Sequence, residues 1–126
     1  MERLRNHSDF VSVLRVRHRV SSADVVAHYA TREQESIQHA KSSAPRLGLA
    51  VANSVGNAVV RNTVKRRFRV LGRQYESLLP ENCDVILRAK KTAPDASFAS
   101  LNEQIKTLFS RIARQLDSEN RKSINQ

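Results

Sequence analysis

Residues Gly56 to Leu79, GNAVVRNTVKRRFRVLGRQYESLL, constrain the fold more tightly than any other stretch of this chain. Apolar side chains recur at Val60, Val64, Phe68, Leu71, Tyr75 and Leu78, the three- and four-residue steps of an amphipathic helix. At roughly 100° per residue, with Arg61 set to zero, these six fall in an arc of about 80°. Arg61, Asn62, Lys65, Arg66, Arg69 and Arg73 fall in an arc of about 140° on the other side. One face can be buried, and the other is a basic ridge. Arg67 sits near the apolar edge, where its stem can lie on apolar surface and its guanidinium can reach water. Solvated helix faces ordinarily mix signs, because like charges one turn apart repel by a few tenths of a kcal/mol per pair. Here Arg61, Lys65 and Arg69 follow one another at i,i+4 spacing, and no acidic residue occurs between Arg61 and Arg73. A polyanion partner relieves that repulsion.

The rest of the composition points the same way. The 126 residues suit one domain, expected over residues 1–116 with a disordered tail over 117–126, where no apolar residue repeats. A net charge of +10 and a pI near 10.8 make nucleic acid the first partner to consider and an anionic membrane surface the second. No apolar run approaches the ~20 residues of a membrane span. The start, MERLRNHSDF, lacks the apolar core of a secretory signal, and the single cysteine, Cys83, excludes an intramolecular disulfide. A cytoplasmic location is the expectation.

The pattern predicts a first helix over Ser8 to Arg17, with Ser8 or Asp9 as its start signal. Strands are expected over Ser22 to Thr31, Arg46 to Ala52 and Cys83 to Arg88, with an exposed hairpin loop over Arg32 to Ala44. Gly48, inside the second strand, marks a bulge or a close approach. Pro80 stops the basic helix. Asp95 or Ser97 can cap a last helix carrying Phe98, Leu101, Ile105, Leu108, Ile112 and Leu116. The resulting order is helix, strand, strand, helix, strand, helix. It predicts an α/β (α+β) two-layer sandwich with helices on a small central sheet.

Catalytic patterns are missing. His7, His18, His28 and His39 stand in separate segments, and none has the i,i+4 partner of a helical zinc site. The twelve carboxylates are scattered, with no run suited to two metal ions. Cys83, in an expected core strand, reads as a small hydrophobe. Gly48 and Gly56 make neither a phosphate loop nor a dinucleotide fingerprint. What remains is electrostatics with geometry: arginines on one rigid helix can grip phosphates at two points, and Asn62 can offer a donor and an acceptor to a base or ribose.

Arg46 to Arg69, RLGLAVANSVGNAVVRNTVKRRFR, resembles the protein subunit of bacterial ribonuclease P. The family has a strand, a turn and a helix that opens with Arg-Asn, two spacers, Lys-Arg, and an Arg three further on. These are Arg61, Asn62, Lys65, Arg66 and Arg69 in this chain. SDFVSVL from Ser8 and DVILRAKK from Asp84 are similar to the family's first-helix and third-strand segments.

The resemblance implies a left-handed crossover through the basic helix. It also implies a catalytic RNA partner, bound by a monomer in a 1:1 complex, with which the chain removes the 5′ leader of precursor tRNA. The phosphodiester chemistry would belong to the RNA and its Mg2+ ions, none held by the protein alone. Arg61, Asn62, Lys65, Arg66, Arg69 and Arg73 would face RNA. A leader cleft would lie between the first helix and the sheet. Phe10 matches one of its aromatic positions, Leu14 stands where many relatives have another, His28 or Tyr29 would supply a strand position, and Arg46 joins them. Asn53 and Ser54 replace a Lys pair common in relatives, and Ala50 and Ala52 replace hydroxyl residues, so leader binding would be weaker or differently distributed. The alternatives are a general RNA-binding or ribosome-associated basic protein, a DNA-binding regulator with the ridge in a major groove, and a peripheral membrane protein.

Overall fold

In the computed structural model, which describes residues 1–32 and 43–124, a five-stranded mixed sheet carries three helices. In chain order these are β1 (Glu2–Arg3), α1 (His7–Val16), β2 (His18–Ser21), β3 (Val25–Thr31), β4 (Arg46–Ala50), α2 (Ala58–Tyr75), β5 (Cys83–Ala89) and α3 (Phe98–Ile124). The strand order is β1, β4, β5, β3, β2. The middle strand, β5, runs parallel to β4 and antiparallel to β3, and all its residues except Arg88 are buried.

Side-chain alternation along the strands sorts the sheet into two faces. Leu47, Val85, Leu87, Val25, Ala27 and Tyr29 point to the face covered by α2 and α3, where they meet Val64, Phe68, Leu71, Ile105 and Phe109. Burying each of these larger side chains contributes about 1.5–3 kcal/mol. The opposite face is covered only in part. There α1 lays Val13 and Phe10 over Ala30, Ile86 and Ala50, with Leu4 beside them.

Backbone stereochemistry fixes the hand of the β4–α2–β5 connection. The Leu47 side chain points to α2, where its Cδ2 lies 2.9 Å from the place a Cβ on Gly72 would occupy. Its carbonyl points the other way along the sheet and accepts from the Leu4 N–H at 2.9 Å, on the β1 side. Viewed from the helices with β4 running upward, an L-residue facing the viewer directs its N–H and C=O to the right. So β1 lies to the right and β5 to the left, and a chain that returns through α2 in front of the sheet makes a left-handed crossover, the uncommon hand. As a result α2 lies over β4, at the side of the sheet that ends in β1.

Several expectations need correction. α1 begins one residue early, because Asn6, rather than Ser8 or Asp9, caps it by accepting from the Asp9 N–H. Its end is set by Arg17, which turns left-handed at φ 64°, after which the chain enters β2. The expected strand over Ser22 to Thr31 is the second arm of a β2–β3 hairpin whose first arm, HRVS, reads as basic and polar. The hairpin loop expected over 32–44 lies almost wholly outside the described residues, but β3 and β4 are not neighbours, since β5 separates them. α2 ends at Tyr75, and the following 3-10 turn, Glu76–Leu78, leaves Leu78 exposed rather than on the buried stripe. The tail expected to be disordered from Asp117 is helical to Ile124, with neither Gly nor Pro after Pro94 to break α3. Ser97 caps that helix by accepting from the Ser100 N–H.

At one end of the sheet a buried charge cluster ties four elements together. Asp84, on β5, is 5% exposed and accepts from Arg32 Nη1 at 2.7 Å and from Arg46 Nε and Nη2 at 2.8 and 2.6 Å. Arg46 Nη1 also lies 3.6 Å from Asp9 on α1, and Arg32 Nη2 donates to the Ala44 carbonyl. The hydrogen bonds to Asp84 raise the Arg46 pKa further above its ordinary value. Asp84→Asn leaves two guanidinium groups short of a counter-charge. Breaking a buried pair costs about 3–5 kcal/mol, and because Arg46 keeps access to water we expect about 2–3 kcal/mol in a urea unfolding measurement. A loss under about 0.5 kcal/mol, within the range of an ordinary surface change, would contradict this role.

Candidate nucleic-acid interface

The ridge is built by the way α2 starts and by what it buries. Asn57 caps the helix by accepting from the Val60 N–H at 3.0 Å, and Val64, Phe68, Leu71 and Gly72 are buried. The other side then carries Asn62, Arg66 and Arg73 exposed and Arg61, Lys65 and Arg69 half-buried. Arg61 Nε donates to the Gly56 carbonyl at 3.1 Å, which orients its guanidinium along the helix start. Among the described residues, no carboxylate forms an ion pair with Arg61, Lys65, Arg66, Arg69 or Arg73. The row therefore keeps its full charge available to a ligand.

The second surface is the part of the sheet face that α1 leaves open. Phe10 is half-buried, its ring so close to β4 that a Cβ on Gly48 would lie 2.6 Å from Cζ. That close approach explains the glycine. Leu14, one turn further along α1, is 44% exposed. His28 lies on the same sheet face, opposite Arg19 in the β2–β3 register, and its Nε2 accepts from Arg88 Nε at 3.2 Å. That bond assigns the neutral ring's proton to Nδ1. Burial, then the charges of Arg88 and Arg19, hold the His28 pKa below its ordinary value.

Of the two candidates for the strand position, then, His28 faces the cleft and Tyr29 does not. Tyr29 is 2% exposed within the α2/α3 core, where its hydroxyl donates to Gln115 Oε1 and its ring lies beside that of His18. Arg46 is on the cleft side, but its guanidinium is engaged by Asp84 and Asp9. Arg19 and Arg88, which sequence reading did not single out, flank His28 instead. The alternation of Asp84, Ile86 and Arg88 along β5 was the signal that puts Arg88 on this face.

Among the described residues no group of three or more His, Cys, Asp and Glu side chains could hold a metal ion, and no helix is long and apolar enough to cross a membrane. Burial and the neighbouring Asp84 push the Cys83 thiol up to about 12, so it stays protonated and unreactive. An α+β sandwich with unpaired cations along one helix has the physics of a polyanion-binding subunit.

Comparison with known proteins makes that class specific. Residues 1–113 match the family model described as Ribonuclease P. The ribonuclease P protein component of Rhodococcus jostii is 38% identical over 104 residues, 82% of each chain. That of Acidothermus cellulolyticus is 32% identical over 117 residues, 93% of this chain and 92% of the relative. The fold is shared with the RNase P protein from Thermotoga maritima, at a TM-score of 0.74, 23% identity and coverage of 89% and 98% of the two chains. It is also shared with the RNase P protein of Staphylococcus aureus, at a TM-score of 0.68, 23% identity and coverage of 92% and 95%. The chain belongs to the ribonuclease P protein family. This family supplies the protein subunit of a ribonucleoprotein endoribonuclease that matures the 5′ end of tRNA, with RNA as the partner and the catalyst. The general RNA-binding alternative is not favoured.

The His28 surroundings generate a pH prediction. Its folded pKa lies below 6.5, so on acidification the unfolded chain takes up the proton first. The stability that His28 contributes is complete above about pH 6.5 and is lost as pH falls through the folded pKa. An NMR titration should give a His28 midpoint below 6.5, and Arg88→Ala should raise it. A midpoint at or above 6.5 in the wild-type protein would contradict the arrangement.

Proposed function

We propose that this chain positions the RNAs of ribonuclease P through two surfaces. Arg61, Lys65, Arg66, Arg69 and Arg73 hold phosphates of the catalytic RNA, and Asn62 bonds a ribose or base beside them. The cleft of Phe10, Leu14 and His28, flanked by Arg19 and Arg88, holds the single-stranded 5′ leader of precursor tRNA. Exposed apolar and aromatic surfaces of that kind stack unpaired bases with little sequence preference. Arg46 acts indirectly, by fastening α1 to β4 through Asp84 and Asp9. The observation that carries the reading is the row of unpaired cations on one side of a helix whose other side is locked in the core.

In this reading the catalytic Mg2+ ions are held by the RNA. The positive ridge repels cations and so leaves them to the RNA. The chain acts as a monomer in a 1:1 complex in the cytoplasm. Asn53 and Ser54 bring polar but uncharged side chains to the 3-10 turn before α2.

Replacing Arg61, Lys65 and Arg69 together by Gln tests the ridge. Each phosphate contact contributes about 0.7–0.9 to the slope of log K against log salt, so the slope for the catalytic RNA should flatten by about two units or more. An unchanged slope in a folded triple variant would remove the ridge from the RNA surface.

A further inference from the structure

The two surfaces meet at the β1 edge of the sheet, in a half-enclosed pocket of about 210 Å³ that belongs to neither alone. Its floor is made by Leu4, Phe10 and the backbone of Gly48, and its rim carries Lys65, Arg69 and Arg73 from α2 with Glu2 and Arg3 of β1, a net positive set. The three α2 residues follow at i,i+4 spacing, so they rise about 6 Å apart along one line. The pocket is small beside the ~300–1,000 Å³ of drug-sized ligand sites. It has room for one planar ring system.

The edge of β4 adds recognition groups. The carbonyls of Pro45 and Leu47 accept from the N–H groups of Glu2 and Leu4, so the odd-numbered residues of β4 turn their backbone groups toward β1. The strand pairing stops at Arg3 with Leu47, and Leu49 is the next odd residue. Its N–H and C=O face the same edge, and among the described residues no hydrogen bond is made to them there. Leu49 lines the pocket. A donor and an acceptor side by side, next to an aromatic ring and beneath cations, match the edge, face and phosphate of a nucleotide. A bare inorganic anion would use only the rim.

We propose that this pocket takes one unstacked nucleotide of a bound RNA. Its base lies against Phe10 and Leu4 with its edge on the Leu49 N–H and C=O, and its phosphate sits on Lys65 and Arg69. The inference rests on the reading of the ridge and of the Phe10 cleft as RNA surfaces and deepens it: where the two meet, one base is held on Phe10 with its edge read by the free backbone groups of Leu49. Gly48 is required for it, because any side chain there would drive Phe10 off β4 and into the cavity.

The test is an NMR titration of the full chain with adenosine 5′-monophosphate, uridine 5′-monophosphate and ribose 5-phosphate. The nucleotides should shift the Leu49 amide and Phe10 ring resonances. At least one should bind about tenfold more tightly than ribose 5-phosphate, as expected for one stacked base. Phe10→Ala, with amide dispersion checked for folding, should remove most of that difference and leave ribose 5-phosphate unchanged. Equal binding of all three probes, no binding of the nucleotides, or shifts that leave Leu49 unmoved would overturn the pocket. If that happens while the Arg61, Lys65 and Arg69 triple variant still flattens the salt slope, the ridge reading stands and only the nucleotide pocket falls.

Discussion

Locking one stripe of α2 into the core determines where this protein's charge can act. Val64, Phe68 and Leu71 are buried, and Gly72 brings the helix close to Leu47 of β4. The burial of those side chains is worth several kcal/mol, whereas the repulsion along Arg61, Lys65 and Arg69 is worth a few tenths per pair. Packing therefore wins, and the helix holds its like charges in a fixed row. The left-handed crossover then sets α2 over β4, beside the β1 edge, so the row borders both that edge and the start of the open sheet face.

The opposite face follows a related logic. A single short helix covers it, so Leu14, His28 and Arg88 stay accessible in the space a second helix would fill. The Asp84 cluster keeps that opening in shape. Charge that could have faced a ligand, on Arg46 and Arg32, is used to fasten β3, β4, β5 and α1. Cations left open to a ligand and cations used inside the protein are thus separated, among the described residues, by whether a carboxylate stands within reach. In the family to which the chain belongs, RNA performs the cleavage.

Much of this was legible in the sequence, and the losses have physical causes. The α2 stripe was readable because six apolar positions keep one period, and it failed only at Leu78, where the chain tightens into a 3-10 turn. His28 and Tyr29 could not be separated by sequence, since a shift of one residue in a strand exchanges its faces. The β2 arm was hidden because HRVS lacks apolar alternation, and the left-handed turn at Arg17 has no Gly or Asn to announce it. The interposition of β5 between β3 and β4 depends on long-range pairing that local pattern does not encode. The helical continuation past Leu116 was missed because the apolar repeat ends there while no breaker follows.

The most direct measurement is 5′ processing of a precursor tRNA by the catalytic RNA of the same genome at low magnesium, with and without this protein freed of RNA. The account predicts slow cleavage by the RNA alone, a marked increase when the protein is added, and none with the protein alone. Cleavage by the RNA-free protein, or no increase on adding it, would contradict a subunit that places RNA for an RNA catalyst.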